Sequence, residues 1–87
     1  MSGILNVRFT RGAETARIVL AMEELRAVFK ERPGATRVVF HLPQAGGGAL
    51  PMEVRGGAAY DAELLAEVRR RLGEGLVHLE LSTPGRP

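Results

Sequence analysis

The stretch LRAVFKERPGATRVVFHLP, Leu25 to Pro43, changes its apolar period partway along. On its N-terminal side, Leu25 and Phe29 continue a series begun by Ile18 and Met22, with steps of four, three and four residues. Those steps lay one apolar stripe along a helix, and Glu23, Glu24, Arg26 and Lys30 fall off it. Lys30 and Arg32 suit the negative end of the helix dipole. Pro33-Gly34 forces the stop. From Thr36 to Leu42 the chain alternates, with Val38, Phe40 and Leu42 on one face and Arg37, Val39 and His41 on the other. Period two marks a half-buried strand.

The same two periods recur on both sides. Upstream, Leu5, Val7 and Phe9 alternate with Asn6, Arg8 and Thr10, a strand that Arg11-Gly12 ends. The helix that follows begins near Glu14 without a complete capping box. Downstream of the glycine-rich connection Pro43 to Ala49, Leu50 to Arg55 is a third strand with Leu50, Met52 and Val54 on its apolar face, ended by Gly56-Gly57. A second helix starts at Asp61, a capping residue, with Tyr60 placed to staple onto Leu65. Its buried stripe is Leu65, Val68 and Leu72, with Leu64 at the edge, and Gly73 offers a left-handed cap. Leu76 to Leu81 is the last strand, with Val77, Leu79 and Leu81 inward. The residues from Ser82 to Pro87 form a flexible tail.

Strand, helix, strand, strand, helix, strand predicts an α/β (α+β sandwich) fold: ferredoxin-like βαββαβ, one four-stranded sheet with two helices on one face. A short extra strand around Ala58-Tyr60 would change the sheet order. The chain of 87 residues is one domain, with an ordered core of about residues 4–81.

Composition excludes several classes. At 45% hydrophobic and 25% charged, with mean hydropathy near zero, the chain is neither a disordered tail nor a coiled coil nor a collagen-like repeat. No apolar run is long enough for a membrane span, and Met-Ser-Gly-Ile-Leu-Asn lacks the pattern of a signal peptide, so a cytoplasmic location is expected. Without cysteine there is no disulfide, no thiolate and no cysteine-built zinc site. Net charge is only +2, and eleven of the twelve basic residues are arginine. The scarcity of side-chain amides (Asn6 and Gln44) suits a heat-loving source. A GC-rich genome accounts equally well for the arginine, alanine and glycine.

Catalytic chemistry finds little to work with. Ser2 and Ser82 lie near the ends, poorly placed for a triad. His41 and His78 share the outward parity and could approach across the sheet, but a metal would also need carboxylates such as Glu53 or Glu80. Two solvated strand histidines is the favoured reading. Gly46-Gly47-Gly48 runs into a strand rather than opening a helix, so it reads as a hairpin loop and not a phosphate cradle. The run Arg69 to Arg71 could touch phosphate, and the helix dipole already explains it. Phe9 and Phe40 point inward, which removes the aromatic platform that an RNA-recognition sheet needs. The open face instead collects Asn6, Arg8, Arg37, Val39, His41, Glu53, Arg55, His78 and Glu80. No catalytic residue and no metal ligand set is expected.

Three segments, LNVRF (Leu5 to Phe9), LRAVFKERPGATRVVFHLP (Leu25 to Pro43) and YDAELLAEVRRRLGEGLVHLEL (Tyr60 to Leu81), resemble the extreme C-terminal domain of the bacterial replicative DNA polymerase III alpha subunit. The triple glycine and Gly56-Gly57 depart from that family's hairpin and leave its register open. The resemblance implies a non-catalytic fragment of a DNA-directed DNA polymerase, whose acidic centre lies upstream. It also implies a protein contact, to the tau subunit of the clamp loader, that tethers the polymerase in the replisome. The rest of the alpha subunit would be a second partner, and no cofactor or membrane enters. The positional candidates for tau are Leu76, His78, Glu80 and Leu81 on the last strand, with Arg69, Arg70 and Arg71. Two other readings stand beside it. One is a small nucleic-acid-binding domain that grips the backbone with Arg8, Arg37 and Arg55. The other, the weakest, is a stand-alone enzyme of the same fold.

Overall fold

The computed structural model describes residues 3–82. The elements follow in the order β1 (Ile4–Phe9), α1 (Thr15–Glu31), β2 (Thr36–Pro43), β3 (Ala49–Ala58), α2 (Ala62–Leu72) and β4 (Val77–Ser82). They form a single four-stranded mixed sheet with both helices on one face, the ferredoxin-like element order and layering expected from the sequence. The strands lie in the order β3-β2-β1-β4. β1 and β2 are parallel neighbours, and β3 and β4 are antiparallel edges. The hairpin therefore places β2 inside and β3 outside, the reverse of the interleaved order in which β3 lies beside β1. Composition explains the choice. Val38 and Phe40 of β2 are fully buried, as a central strand requires, whereas β3 carries Pro51, Gly56 and Gly57, residues that weaken an interior ladder.

The inward parity of the strands meets the helices in one core. Leu5, Val7 and Phe9 from β1 and Val38 and Phe40 from β2 pack against Leu25, Val28 and Phe29 of α1 and Leu64 and Val68 of α2. Phe40 sits between Phe9 and Phe29, with tilted rings whose centroids lie 6.1 and 6.4 Å away. At the head of α2, the Asp61 carboxylate accepts the Leu64 N–H at 2.8 Å, so the expected cap is formed. α1 has no side-chain cap at Glu14, in keeping with its weak start signal.

Several inward assignments need correction. In α2 the fully buried leucine is Leu64, while Leu65 and Leu72 are half-buried. Leu64 and Val68 are one helical turn apart, so the stripe is rotated by one residue from the expected one. Leu81 is 45% and Leu50 53% exposed, because each lies on an edge strand. Gly56-Gly57 does not end the third strand. β3 passes through both glycines at positive φ, with Ala58 opposite Thr36 and a register shift before Val38 pairs with Val54. This bulge brings Ala58 into the core and places it within β3 rather than in a separate strand. Ser82 belongs to β4, and the expected tail beyond it lies outside the described residues.

The bulge lets two stretches of backbone touch. The Ala59 N–H donates to the Arg32 carbonyl at 2.9 Å. A Cβ placed on Gly34 would stand 2.5 Å from the Ala59 nitrogen and Cα, which only glycine avoids. Gly34→Ala should cost about 1–3 kcal/mol of unfolding free energy, as overpacking does. Gly46→Ala, whose Cβ meets nothing within 4 Å, should stay within about 0.5 kcal/mol of the parent. Denaturant unfolding of the two variants side by side checks this.

Candidate interaction surface: the open sheet face and its β4 edge

The face turned away from the helices is built by the outward parity of all four strands. Across its centre, β1 lies between β2 and β4, so Arg8 faces His41 on one side and His78 on the other. The two imidazoles flank Arg8 rather than meet. Among the described residues, no group of three histidines or carboxylates could hold a metal ion.

Charges on this face are mostly matched within it. Arg37 grips Glu53 through Nε (2.8 Å) and Nη2 (2.7 Å), a bidentate fork that pushes the Glu53 carboxyl below its ordinary value. Arg8 Nε lies 3.4 Å from Glu80 Oε1. Arg55 has no ion-pair partner among the described residues. Of the three arginines expected to hold a nucleic-acid backbone, two are thus occupied by carboxylates.

Asn6 links three strands. Its Nδ2 donates to Ser82 Oγ at 3.0 Å and to the Glu80 carbonyl at 3.3 Å, leaving Oδ1 as the acceptor. His41 Nε2, 2.8 Å from that oxygen, must then be the donor, which assigns the tautomer protonated on Nε2. Burial pushes the His41 pKa down, the Arg8 charge pushes it further, and Glu80 opposes both.

The candidates around β4 divide by position, and Leu76, expected to open the strand, lies just before it. His78 and Glu80 lie exposed on the open face, and Leu81 is exposed at the edge. Leu76 is half-buried against the core, and its carbonyl accepts the Thr10 N–H at 2.8 Å. The Thr10 hydroxyl donates to the neighbouring Gly75 carbonyl. Leu76 is therefore held as packing, whereas His78 and Glu80 are accessible on the open face and Leu81 on the opposite side of the same edge strand.

The arginine run of α2 lies elsewhere, on the helical layer, and it is paired. Arg70 and Arg71 both hydrogen-bond Glu67, and Arg71 reaches across to Glu31 (3.2 Å) and Glu24 (3.5 Å) of α1. Arg69 lies 3.9 Å from Glu74. The two hydrogen-bonded guanidinium groups hold the Glu67 carboxyl at about 2, against an ordinary 4.5. Sequence spacing offered Glu67 to an arginine one turn on, but the cross-helix reach of Arg71 depended on how α1 and α2 pack. Reading by parity also gave no signal for the apolar residues left exposed, Val19 and Leu20 on α1 and Leu50 on β3. Compared with protein-family models, curated proteins and solved structures, the chain matches none.

Two measurements test these charge states. The His41 imidazole should titrate below 6.5 by NMR, with the neutral form protonated on Nε2. The unfolded chain takes up that proton first, so this contribution to stability is whole above 6.5 and declines as the pH falls below it. For Glu67 the contribution is whole above about 4.5 and is lost as the pH falls toward about 2. Glu67→Gln should therefore lower the thermal midpoint at neutral pH and flatten its decline over that acid interval.

Proposed function

We propose that the chain is a non-catalytic protein-interaction domain, the C-terminal module of a DNA polymerase III alpha subunit, which tethers the polymerase to the tau subunit of the clamp loader. The sequence resemblance supports the identity of the partner. The segments that carry it coincide with β1, with the junction from α1 to β2, and with the run from Tyr60 through α2 to β4. The observation that carries the choice of a protein partner is the internal pairing of the open face. Arg37 is held by Glu53 and Arg8 by Glu80, so no lane of unmatched positive charge crosses the sheet to follow phosphates. Beside those pairs, the β4 edge presents His78, Glu80 and exposed Leu81 next to unpaired strand backbone, a mixed polar and apolar border of the kind a protein segment can cover.

Calorimetry against the C-terminal region of tau, with a single-stranded oligonucleotide titrated in parallel at two salt concentrations, tests the reading. The expected result is saturable tau binding that tolerates salt. His78→Ala with Glu80→Ala should weaken that binding while the thermal midpoint stays nearly unchanged, since both side chains are exposed. Absence of tau binding together with oligonucleotide affinity that falls steeply with salt would overturn it in favour of a nucleic-acid role for Arg8, Arg37 and Arg55.

A further inference from the structure

The helical layer does not cover the whole sheet. On the side of β3, the inward row Leu50, Met52 and Val54 is only partly shielded by α1. A groove of about 610 Å³ runs between that row and the C-terminal half of the helix. Phe29, Met52 and Val54 form its apolar floor, and Arg26, Lys30 and Arg55 stand on its rim. Arg26 and Lys30 are one helical turn apart, so α1 presents both to the same groove. None of the three cations has an ion-pair partner among the described residues, whereas Arg8, Arg32, Arg37 and all three arginines of α2 have one. The one carboxylate along the groove, Glu53, is taken by Arg37.

The strand beside this groove also has free backbone. β3 is an edge and carries Pro51 opposite His41. Proline has no N–H to give to β2, so its nitrogen occupies a position that faces outward. By period two, the backbone of Glu53 and Arg55 faces outward as well, alongside the cationic rim. Pro51 limits pairing on one side, and the glycine bulge limits it on the other. What remains is a short open edge next to an apolar trough ringed by unmatched positive charge.

We propose that this groove binds an extended acidic segment of a partner protein, added to the β3 edge. Apolar side chains of the segment that point to the helix side enter the trough over Met52 and Val54, its acidic residues of the same parity meet Arg26 and Lys30, and those of the opposite parity meet Arg55. The floor selects peptide over nucleic acid: it is aliphatic and thioether, and the Phe29 ring is 2% exposed, so no aromatic face is offered to a base. The site lies on the edge opposite β4 and is independent of the tether reading.

The test uses the whole chain against a displayed library of random dodecapeptides, followed by amide NMR of the complex with an enriched peptide. Enriched sequences should carry apolar residues two positions apart with Asp or Glu both between and beyond them, and the shifted amides should centre on Met52 to Gly57. The double variant Arg26→Glu with Lys30→Glu, both exposed, should keep its circular dichroism and bind at least roughly tenfold more weakly. His78→Ala with Glu80→Ala should bind the peptide unchanged, which separates this site from the β4 edge. The proposal is overturned by a library that yields no binder, by binders without acidic residues, or by binding indifferent to the charge reversals. Displacement of the peptide by a single-stranded oligonucleotide at the same amides would equally overturn it.

Discussion

Backbone packed directly on backbone, Gly34 against Ala59, fixes where the first helix ends relative to the sheet. Three segments converge there. The last carbonyls of α1 are occupied by the Arg32 N–H, the Arg32 carbonyl takes the N–H of Ala59, and a few residues on the Arg37 N–H donates to Gly3 beside β1. A side chain at position 34 would push these segments apart, and with them the helix that carries Val28 and Phe29 onto Phe40. The core is thus seated by a contact that contains no apolar side chain at all. The same anchoring holds the end of α1 beside the bulge of β3, where Pro33, Gly56 and Gly57 line the trough. The trough between them is the geometric remainder.

Charge in this chain is arranged rather than merely present. On the open face, the two central strands carry arginine and the two edge strands glutamate, so that Arg37 with Glu53 and Arg8 with Glu80 neutralise one another at short range. On the helical side, Glu67 gathers Arg70 and Arg71, and Arg71 in turn gathers Glu24 and Glu31, so the ions that join α2 to α1 form one network. Exposed pairs of this kind add little each and weaken with salt. Their larger effect is subtractive, because they remove most arginines from any role in binding. The excess positive charge is left where no carboxylate reaches, and the rim beside β3 is one such place.

Much of this architecture was legible because strand parity and helical period are local properties. Leu5, Val7, Phe9, Val38 and Phe40 declared their face two residues at a time, and Pro33-Gly34 and Asp61 marked where elements stop and start. Outcomes set by tertiary choices were not legible. Leu64 and Leu65 both complete a helical stripe with Val68, and only how α2 packs in the folded layer selects the former. Gly56-Gly57 reads as a stop, yet Thr36 offers a partner that carries the strand on to Ala58. The open face was legible in membership but not in pairing, since which arginine meets which glutamate depends on strand order. The exposure of Leu50 and Leu81 follows from β3 and β4 being edges, a fact about neighbours rather than about either strand.

The position of β1 has a consequence for how the chain acquires its shape. Its two ladders differ greatly in reach: one goes to β2 just beyond the helix, the other to β4, with Asn6 and Ser82 joined across 76 residues of sequence. Closing so long a loop costs entropy before any hydrogen bond repays it. During synthesis, β1 waits with one edge bare until β4 has emerged. The β1–α1–β2 unit can form early from local contacts, and the sheet is completed by its final element. A chain stopped before Val77 would keep a raw central strand exposed, open to the first foreign strand that finds it.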